Sequence, residues 1–137
     1  MGTVYAEITL KNAFDEKKVQ EGLIGEQDVR SITVTALVDT GAMSMVITED
    51  LRQKLGLTIR GQKIAQTANG QRVPCGVTEP VEIHWKNRST TLPAVVIPGA
   101  ETVLLGAIPL EDMDLVVKPA TMELVGAHGD SVECLAM

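Results

Sequence analysis

Aromatic residues, basic clusters and long apolar runs are all scarce in this sequence of 137 residues. Tyr5, Phe14 and Trp85 are its only aromatic residues, so it lacks the interleaved aromatic and basic side chains on which single-stranded nucleic acids stack. Lys17-Lys18 is the longest basic run, and the net charge is −6, which disfavours nucleic acids and anionic membranes as partners. No apolar stretch approaches the length of a transmembrane helix. We therefore expect neither nucleic acid nor membrane as a partner.

Cysteine is also scarce. Cys75 and Cys134 lie far apart, with no Cys-x-x-Cys motif and no histidine at ligand spacing, so we expect no metal and no cofactor, and two buried, apolar thiols. The first residues, Met1 to Glu7, have neither the basic nor the apolar region of a secretory signal, which favours a cytoplasmic location.

The residues that are abundant are aliphatic. Hydrophobic residues make up 45% of the chain and charged residues 22%, a balance that supports a buried core. With so few aromatics, most of that core is valine, leucine, isoleucine, alanine and methionine, a composition that leans toward β structure. No repeat or linker divides the chain, so residues 1–137 are predicted to form a single, mostly β domain with one or two short helices.

Alternating or continuous apolar runs predict the strands. They cover residues 4–10, 29–38, 57–67, 72–85, 91–97 and 101–105, with shorter pieces near 116–117, 121–125 and 131–137. Asn69-Gly70 predicts a type I′ hairpin turn, and Pro74 and Pro80 predict that the strand over 72–85 is bulged, bent or at an edge.

Capping signals predict two short helices. Thr48 precedes two acidic residues and Gly56 follows the apolar positions, which indicates a helix of about two turns. Pro109 is predicted to begin a second helix that ends near Met113. The charged segment 11–26 is interpreted as an exposed loop or irregular hairpin insertion. Asp112 and Asp114 are interpreted as a solvated helix face.

An ionisable residue follows directly on the apolar run that ends at Val38. Burying a lone carboxylate is costly unless the group is paired or protonated, so Asp39 either opens a surface turn or serves a chemical purpose. In the second case the Thr40 hydroxyl can bond neighbouring backbone and Gly41 lets backbone approach a ligand. A second apolar run, Leu104-Leu105-Gly106, also ends in a glycine before a short helix.

Over residues 30–118 these motifs resemble those of the retropepsin-like aspartic proteases of the single-motif, bacterial type. The resembling features are Ala-Leu-Val-Asp39-Thr40-Gly41-Ala42, a glycine-tipped hairpin and the late Leu-Leu-Gly106 motif. The family resemblance implies a closed β-barrel that corresponds to half of an acid protease. It implies a catalytic Asp39, a Thr40 that locks the turn across a dimer axis, and Gly41 and Ala42 in the active-site loop.

The resemblance assigns two further groups of residues. Leu104, Leu105 and Gly106 would form a structural motif that packs behind the active-site loop. The flap that covers the substrate would comprise Thr67, Ala68, Asn69, Gly70 and Gln71 within residues 67–73. Because this flap tip is polar, we expect water to be excluded poorly and cleavage to be slow.

The number of such motifs determines the expected assembly. Only one Asp-Thr-Gly occurs in the chain, whereas hydrolysis by paired carboxyls needs two. The expected enzyme is therefore a symmetric homodimer that cleaves an extended polypeptide substrate, with residues 4–10 and 131–136 as candidates for pairing between protomers.

The alternative is a noncatalytic dimeric module of the same fold that binds peptides or dimerises. A serine hydrolase lacks its Gly-x-Ser-x-Gly elbow here, and His84 and His128 are interpreted as surface or hairpin residues. Nucleotide binding lacks both of its glycine-rich motifs.

Overall fold

The computed structural model describes residues 3–67 and 69–133. Strands dominate this part of the chain, and three short α-helices and one 3₁₀ turn, Glu26–Asp28, interrupt them. The strands are β1 Tyr5–Asn12, β2 Ser31–Val38, β3 Met45–Ile47, β4 Ile59–Gln66, β5 Arg72–Trp85, β6 Arg88–Val96, β7 Leu104–Leu105, β8 Leu115–Lys118 and β9 Glu123–Gly126. The helices are α1 Ala13–Gln20, α2 Glu49–Lys54 and α3 Ala107–Asp112.

The strands close into a barrel. Neighbouring strands follow the order β1-β2-β7-β3-β6-β5-β4, and β1 also pairs with β5. Six strands therefore form a ring, and β4 extends from it as the outer arm of the β4–β5 hairpin. Strands β8 and β9 form a separate antiparallel hairpin. The predicted mostly β, closed-barrel fold is confirmed.

The barrel interior is aliphatic. Alternate residues of β1 are buried, which is the pattern expected of a strand with one wet face. Side chains from β1, β3, β5, β7 and the short helices meet in one core. Its largest fully buried members are Ile8, Leu10, Met45, Ile47, Leu55, Leu57, Val81, Ile83, Leu105 and Met113.

Most of the local predictions agree with the structure. The Thr48 hydroxyl caps α2 by accepting from Leu51 N at 3.2 Å, and Gly56 has a φ of +65° just after the helix. The pairing of β5 with β6 shifts register between Val77 and Pro80, as a proline inside a strand requires.

Two predictions about segment 11–26 and the last helix are wrong. Segment 11–26 is not the predicted exposed loop or irregular hairpin insertion, because β1 continues to Asn12 and α1 follows it. The Asn12 side chain caps α1 by accepting from the amides of Phe14 and Asp15. Pro109 is the third residue of α3 rather than the first, because the helix begins at Ala107.

Asp15 connects α1 to the chain just before β2. Asp15 is 3% exposed, and its carboxylate accepts hydrogen bonds from the Arg30 amide and from Arg30 Nε and Nη2 at 2.9–3.0 Å. These charge-assisted bonds to Arg30 lower the pKa of Asp15. The pair thus fastens α1 to the start of β2.

We expect Asp15→Asn to lower the free energy of unfolding at pH 7 by about 1 kcal/mol, a value kept small because Arg30 is half exposed. A carboxyl whose pKa is lower in the folded state stabilises above its unfolded pKa, near 3.9, and loses that effect as the pH falls through the folded value. The free energies of unfolding of the two proteins in urea should therefore begin to approach each other below about pH 4 and become equal only below the lowered folded pKa.

A matched control for this comparison is Asp50→Asn, because Asp50 forms an exposed pair with Lys54 and should change stability by less than about 0.5 kcal/mol. If the free energies of unfolding of wild type and Asp15→Asn differed by the same amount at pH 3 and at pH 7, the charge of Asp15 would not be what stabilises the fold.

The β8–β9 hairpin and the residues that follow it are held by Arg88. This buried guanidinium donates to the carbonyls of Met113, Asp114, Gly129 and Ser131. One arginine therefore links β6 to the end of α3 and to the C-terminal part of the described chain. None of the helices in the two described ranges is long and apolar enough to cross a membrane.

Candidate active site

Asp39 lies where β2 leaves the barrel. Strand β2 ends in parallel pairing with β7, with Val38 opposite Leu105, and Asp39 N donates to Leu105 O at 3.0 Å. The backbone of Asp39 is thus fixed by the core, whereas its side chain is only partly buried. The carboxylate meets solvent at the rim of a rigid sheet.

The turn after Asp39 orients this carboxylate. Gly41 N donates to Asp39 Oδ1 at 2.9 Å, and Ala42 N donates to Asp39 O at 3.1 Å. In the described part of the chain the carboxylate accepts no other hydrogen bond, so its second oxygen remains available for a water or another carboxyl. Thr40 is exposed beside it.

The first residues of α3 bind the loop that follows Asp39 through hydrogen bonds. Ala107 N donates to Ala42 O at 2.8 Å, and Ile108 N donates to Met43 O at 2.9 Å. These are amides of a helix's first turn, which have no partner inside the helix. A Cβ at Gly106 would lie 2.2 Å from Ser44 O, so the backbones can approach this closely only at a glycine.

The residues of the late Leu-Leu-Gly motif lie next to these contacts. Leu105 is fully buried, Leu104 is half-buried, and the backbone of Gly106 packs against the loop that follows Asp39.

The β4–β5 hairpin, called the flap hairpin below, contains the residues predicted for the flap, but its tip differs from the predicted turn. Thr67 N donates to Gln71 O at 2.8 Å, and Gly70 N donates to Thr67 O at 2.9 Å. Thr67 therefore bonds with Gln71 across the tip, and Gly70 has a φ of +84°, whereas a two-residue type I′ turn centred on Asn69 and Gly70 does not bring these two residues together. Asn69 and Gln71 are exposed. Ala68 lies outside the described residues.

A cleft of about 670 Å³ joins the Asp39 loop to the flap strand β4. Of the residues predicted for the site, Asp39, Gly41, Ala42, Thr67 and Leu104 line it. Thr40, Asn69, Gly70, Gln71, Leu105 and Gly106 do not. The further lining residues are Met43, Ser44, Val46, Lys63, Ile64, Ala65, Gln66, Cys75, Val95 and Ile97.

The sequence interpretation missed Lys63 to Gln66 as cleft residues. The predicted strand over 57–67 contained them, but its alternation alone does not say which face looks into the cleft. Cys75 is 2% exposed, as predicted, and also borders the cleft. Cys134 lies outside the described residues.

The other candidate acids and histidines do not line this cleft. Asp112 accepts from the Thr90 hydroxyl at the end of α3. The prediction that Asp114 lies on a solvated face is wrong. Asp114 is 8% exposed and has a φ of +56°. Its Oδ2 lies 2.7 Å from His128 Nδ1.

This contact lowers the pKa of Asp114 and raises the pKa of His128, as an ion pair does. His128 is an exposed residue, as interpreted, and His84 is bonded to Glu82 on β5. Across residues 3–67 and 69–133, no group of three or more acidic, histidine or cysteine side chains could hold a metal ion.

Comparison with solved structures supports the fold assignment. The chain of "EIAV protease complexed with the inhibitor HBY-793" aligns with a TM-score of 0.56 and 18% sequence identity, over 81% of this chain and 88% of that chain. At this identity the likeness concerns the fold alone. A comparison with curated protein sequences returns no match.

A family model described as "Aspartyl protease" matches residues 22–119. The matched range contains Asp39 and its turn, the flap hairpin and Gly106, so it includes the elements that build the cleft. By this match and by its retropepsin-like fold, the chain belongs to the aspartyl protease family.

Proposed function

We propose that this chain is an aspartic endopeptidase, active as a symmetric homodimer in which residues 1–137 form the single domain of each protomer. The proposal rests on the observation that Asp39 is the sole acidic side chain among the described residues that line the cleft. Hydrolysis through a carboxylate-activated water needs one group to accept a proton and another to donate one. A second Asp39, from a second copy, supplies the missing group.

Two facing carboxyls cannot both ionise at close range, because like charges repel, so one keeps its proton. The ionised Asp39 takes a proton from a water, whose oxygen then bonds to the peptide carbonyl carbon. The protonated Asp39 donates to the carbonyl oxygen. Transfer of a proton to the amide nitrogen then breaks the C–N bond and releases an amine and a carboxylic acid.

The turn geometry suits this role. The bond from Gly41 N to Asp39 Oδ1 fixes the carboxylate and leaves the other oxygen for the water or the partner's carboxyl. The exposed Thr40 would bond to the opposite protomer beside the two-fold axis.

One of the two segments expected to pair between protomers contains β1. From Thr9 to Lys11 this strand pairs with β2 on one side and with β5 on the other. From Tyr5 to Ile8 it pairs with β2 alone, so its other edge is open to a strand of the second protomer. Ser131 bridges His128, and residues 134–136 lie outside the described ranges.

The substrate would be an extended polypeptide that lies between the Asp39 loop and β4, held by backbone hydrogen bonds in the manner of an added strand. The described flap-tip residues Thr67, Asn69 and Gln71 are polar, so closure would exclude water poorly and turnover would be slow.

Cleavage of a denatured protein between pH 4 and 7, measured over a range of enzyme concentrations beside sedimentation velocity, tests this proposal. We expect activity per chain to rise with the dimer fraction and to vanish in the monomer. Activity that is independent of the dimer fraction would contradict the shared site. A well-formed dimer that cleaves nothing would instead support the noncatalytic module.

A further inference from the structure

The flap hairpin has a charge opposite to that of the rest of the chain. Residues 59–73 contain three of the twelve basic residues and none of the eighteen acidic residues. These cations are Arg60, Lys63 and Arg72, and none has a carboxylate within 4.0 Å in the described part of the chain. Of the nine other basic residues, five have such partners (Lys11, Arg30, Arg52, Lys54 and Arg88) and four do not in the described ranges. An unpaired positive flap on a negative protein attracts an anionic ligand.

Lys63 is the flap cation that borders the cleft. It lies opposite Cys75 in the β4–β5 register, and cross-strand partners share one face of a sheet. Both Lys63 and the buried Cys75 line the cleft that begins at the Asp39 loop.

Lys63 also borders a second, smaller cavity. This side pocket has a volume of about 130 Å³ and shares Ser44, Lys63 and Val95 with the main cleft. Its remaining wall is mostly apolar and consists of Met45, Val77, Leu92, Pro93, Ile108 and Pro109. A side chain that extends from the cleft into the pocket therefore meets an apolar wall and the side chain of Lys63, which borders both cavities.

We propose that Lys63 is a specificity-determining residue that selects peptides with an acidic side chain, glutamate best, in this side pocket. The methylene groups of a glutamate fit the apolar wall, and its carboxylate pairs with Lys63 Nζ. Arg60 and Arg72 add to the positive potential that draws acidic segments toward the flap. This inference rests on the proposed endopeptidase function and names its substrate class.

The test uses peptides derived from a sequence that the wild-type enzyme cleaves, with glutamate, glutamine or lysine placed in turn at each position around the scissile bond. At pH 6 and low ionic strength we expect one position where kcat/KM for glutamate exceeds that for glutamine about fivefold to tenfold. Lys63→Met should abolish this ratio, Lys63→Arg should retain it and Lys63→Glu should favour lysine. The matched control is Lys118→Glu, an exposed cation on β8, which should leave the ratio unchanged.

A second readout does not depend on catalysis. Fluorescence anisotropy should show that Asp39→Asn binds the glutamate peptide more tightly than the glutamine peptide, and that adding Lys63→Met removes the difference. Equal kcat/KM for both peptides at every position, or a ratio that survives Lys63→Met, would overturn the inference and leave the endopeptidase intact. If no peptide is cleaved by any protein, the proposed function fails, and the anisotropy difference alone then supports or overturns the role of Lys63.

Discussion

Asp39→Asn is expected to lower kcat/KM for a denatured protein substrate by a factor of about 10³ or more. Asparagine has nearly the same shape, and its Oδ1 can still accept from Gly41 N, so the turn should persist. It can neither take a proton from water at neutral pH nor donate one as a carboxylic acid does. Because both protomers carry the change, the dimer loses its base and its acid together.

The measurement compares initial cleavage rates of wild type and Asp39→Asn at equal dimer fraction, established by sedimentation velocity. Asp50→Asn is the matched control, because it makes the same chemical change at an exposed residue that pairs only with Lys54, and its rate should equal that of wild type. Undiminished cleavage by Asp39→Asn would place the reaction elsewhere in the protein or in a contaminant.

Mixing the two proteins tests whether the site is shared. If a heterodimer with one Asp39 is inactive, nine parts of Asp39→Asn to one part of wild type should reduce activity per wild-type chain to about one tenth, because most wild-type chains then pair with a variant. Undiminished activity per wild-type chain after subunit exchange would show that each protomer works alone.

Local backbone requirements explain which parts of this site the sequence could predict. Asp39 and Gly106 stand out because each follows an apolar run and each is part of a tight turn. By contrast, α1 has no apolar stripe, and its stability depends on Asp15 meeting Arg30, which lies 15 residues further along the chain. Strand β3 is only three residues long and entirely buried, so it has no alternation to recognise.

Relationships between distant strands were beyond the reach of the sequence. The closure of the barrel depends on the pairing of β1 with β5. The position of Lys63 in the cleft depends on its register opposite Cys75 and on how the hairpin lies over the Asp39 loop. Such nonlocal contacts follow from packing, and no spacing in a single sequence encodes them.

Gly106→Ala is expected to lower the free energy of unfolding by about 3 kcal/mol or more. The backbone here has φ near −87°, which any residue adopts, so the constraint is space rather than conformation. An added methyl would lie 2.2 Å from Ser44 O and 2.8 Å from Ala42 O, and these are backbone atoms that no side-chain rotation can move away.

Relief of the clash at Gly106 would separate α3 from the loop and break the bonds that Ala107 N and Ile108 N make to it. Urea unfolding measures the loss, with Gly61→Ala as the matched control. A Cβ at Gly61 would meet nothing within 4 Å, so that variant should remain within about 0.5 kcal/mol of wild type. If the two variants had the same free energy of unfolding, separating α3 from the loop would cost no stability. Contacts with α3 would then not be what holds the Asp39 turn in place.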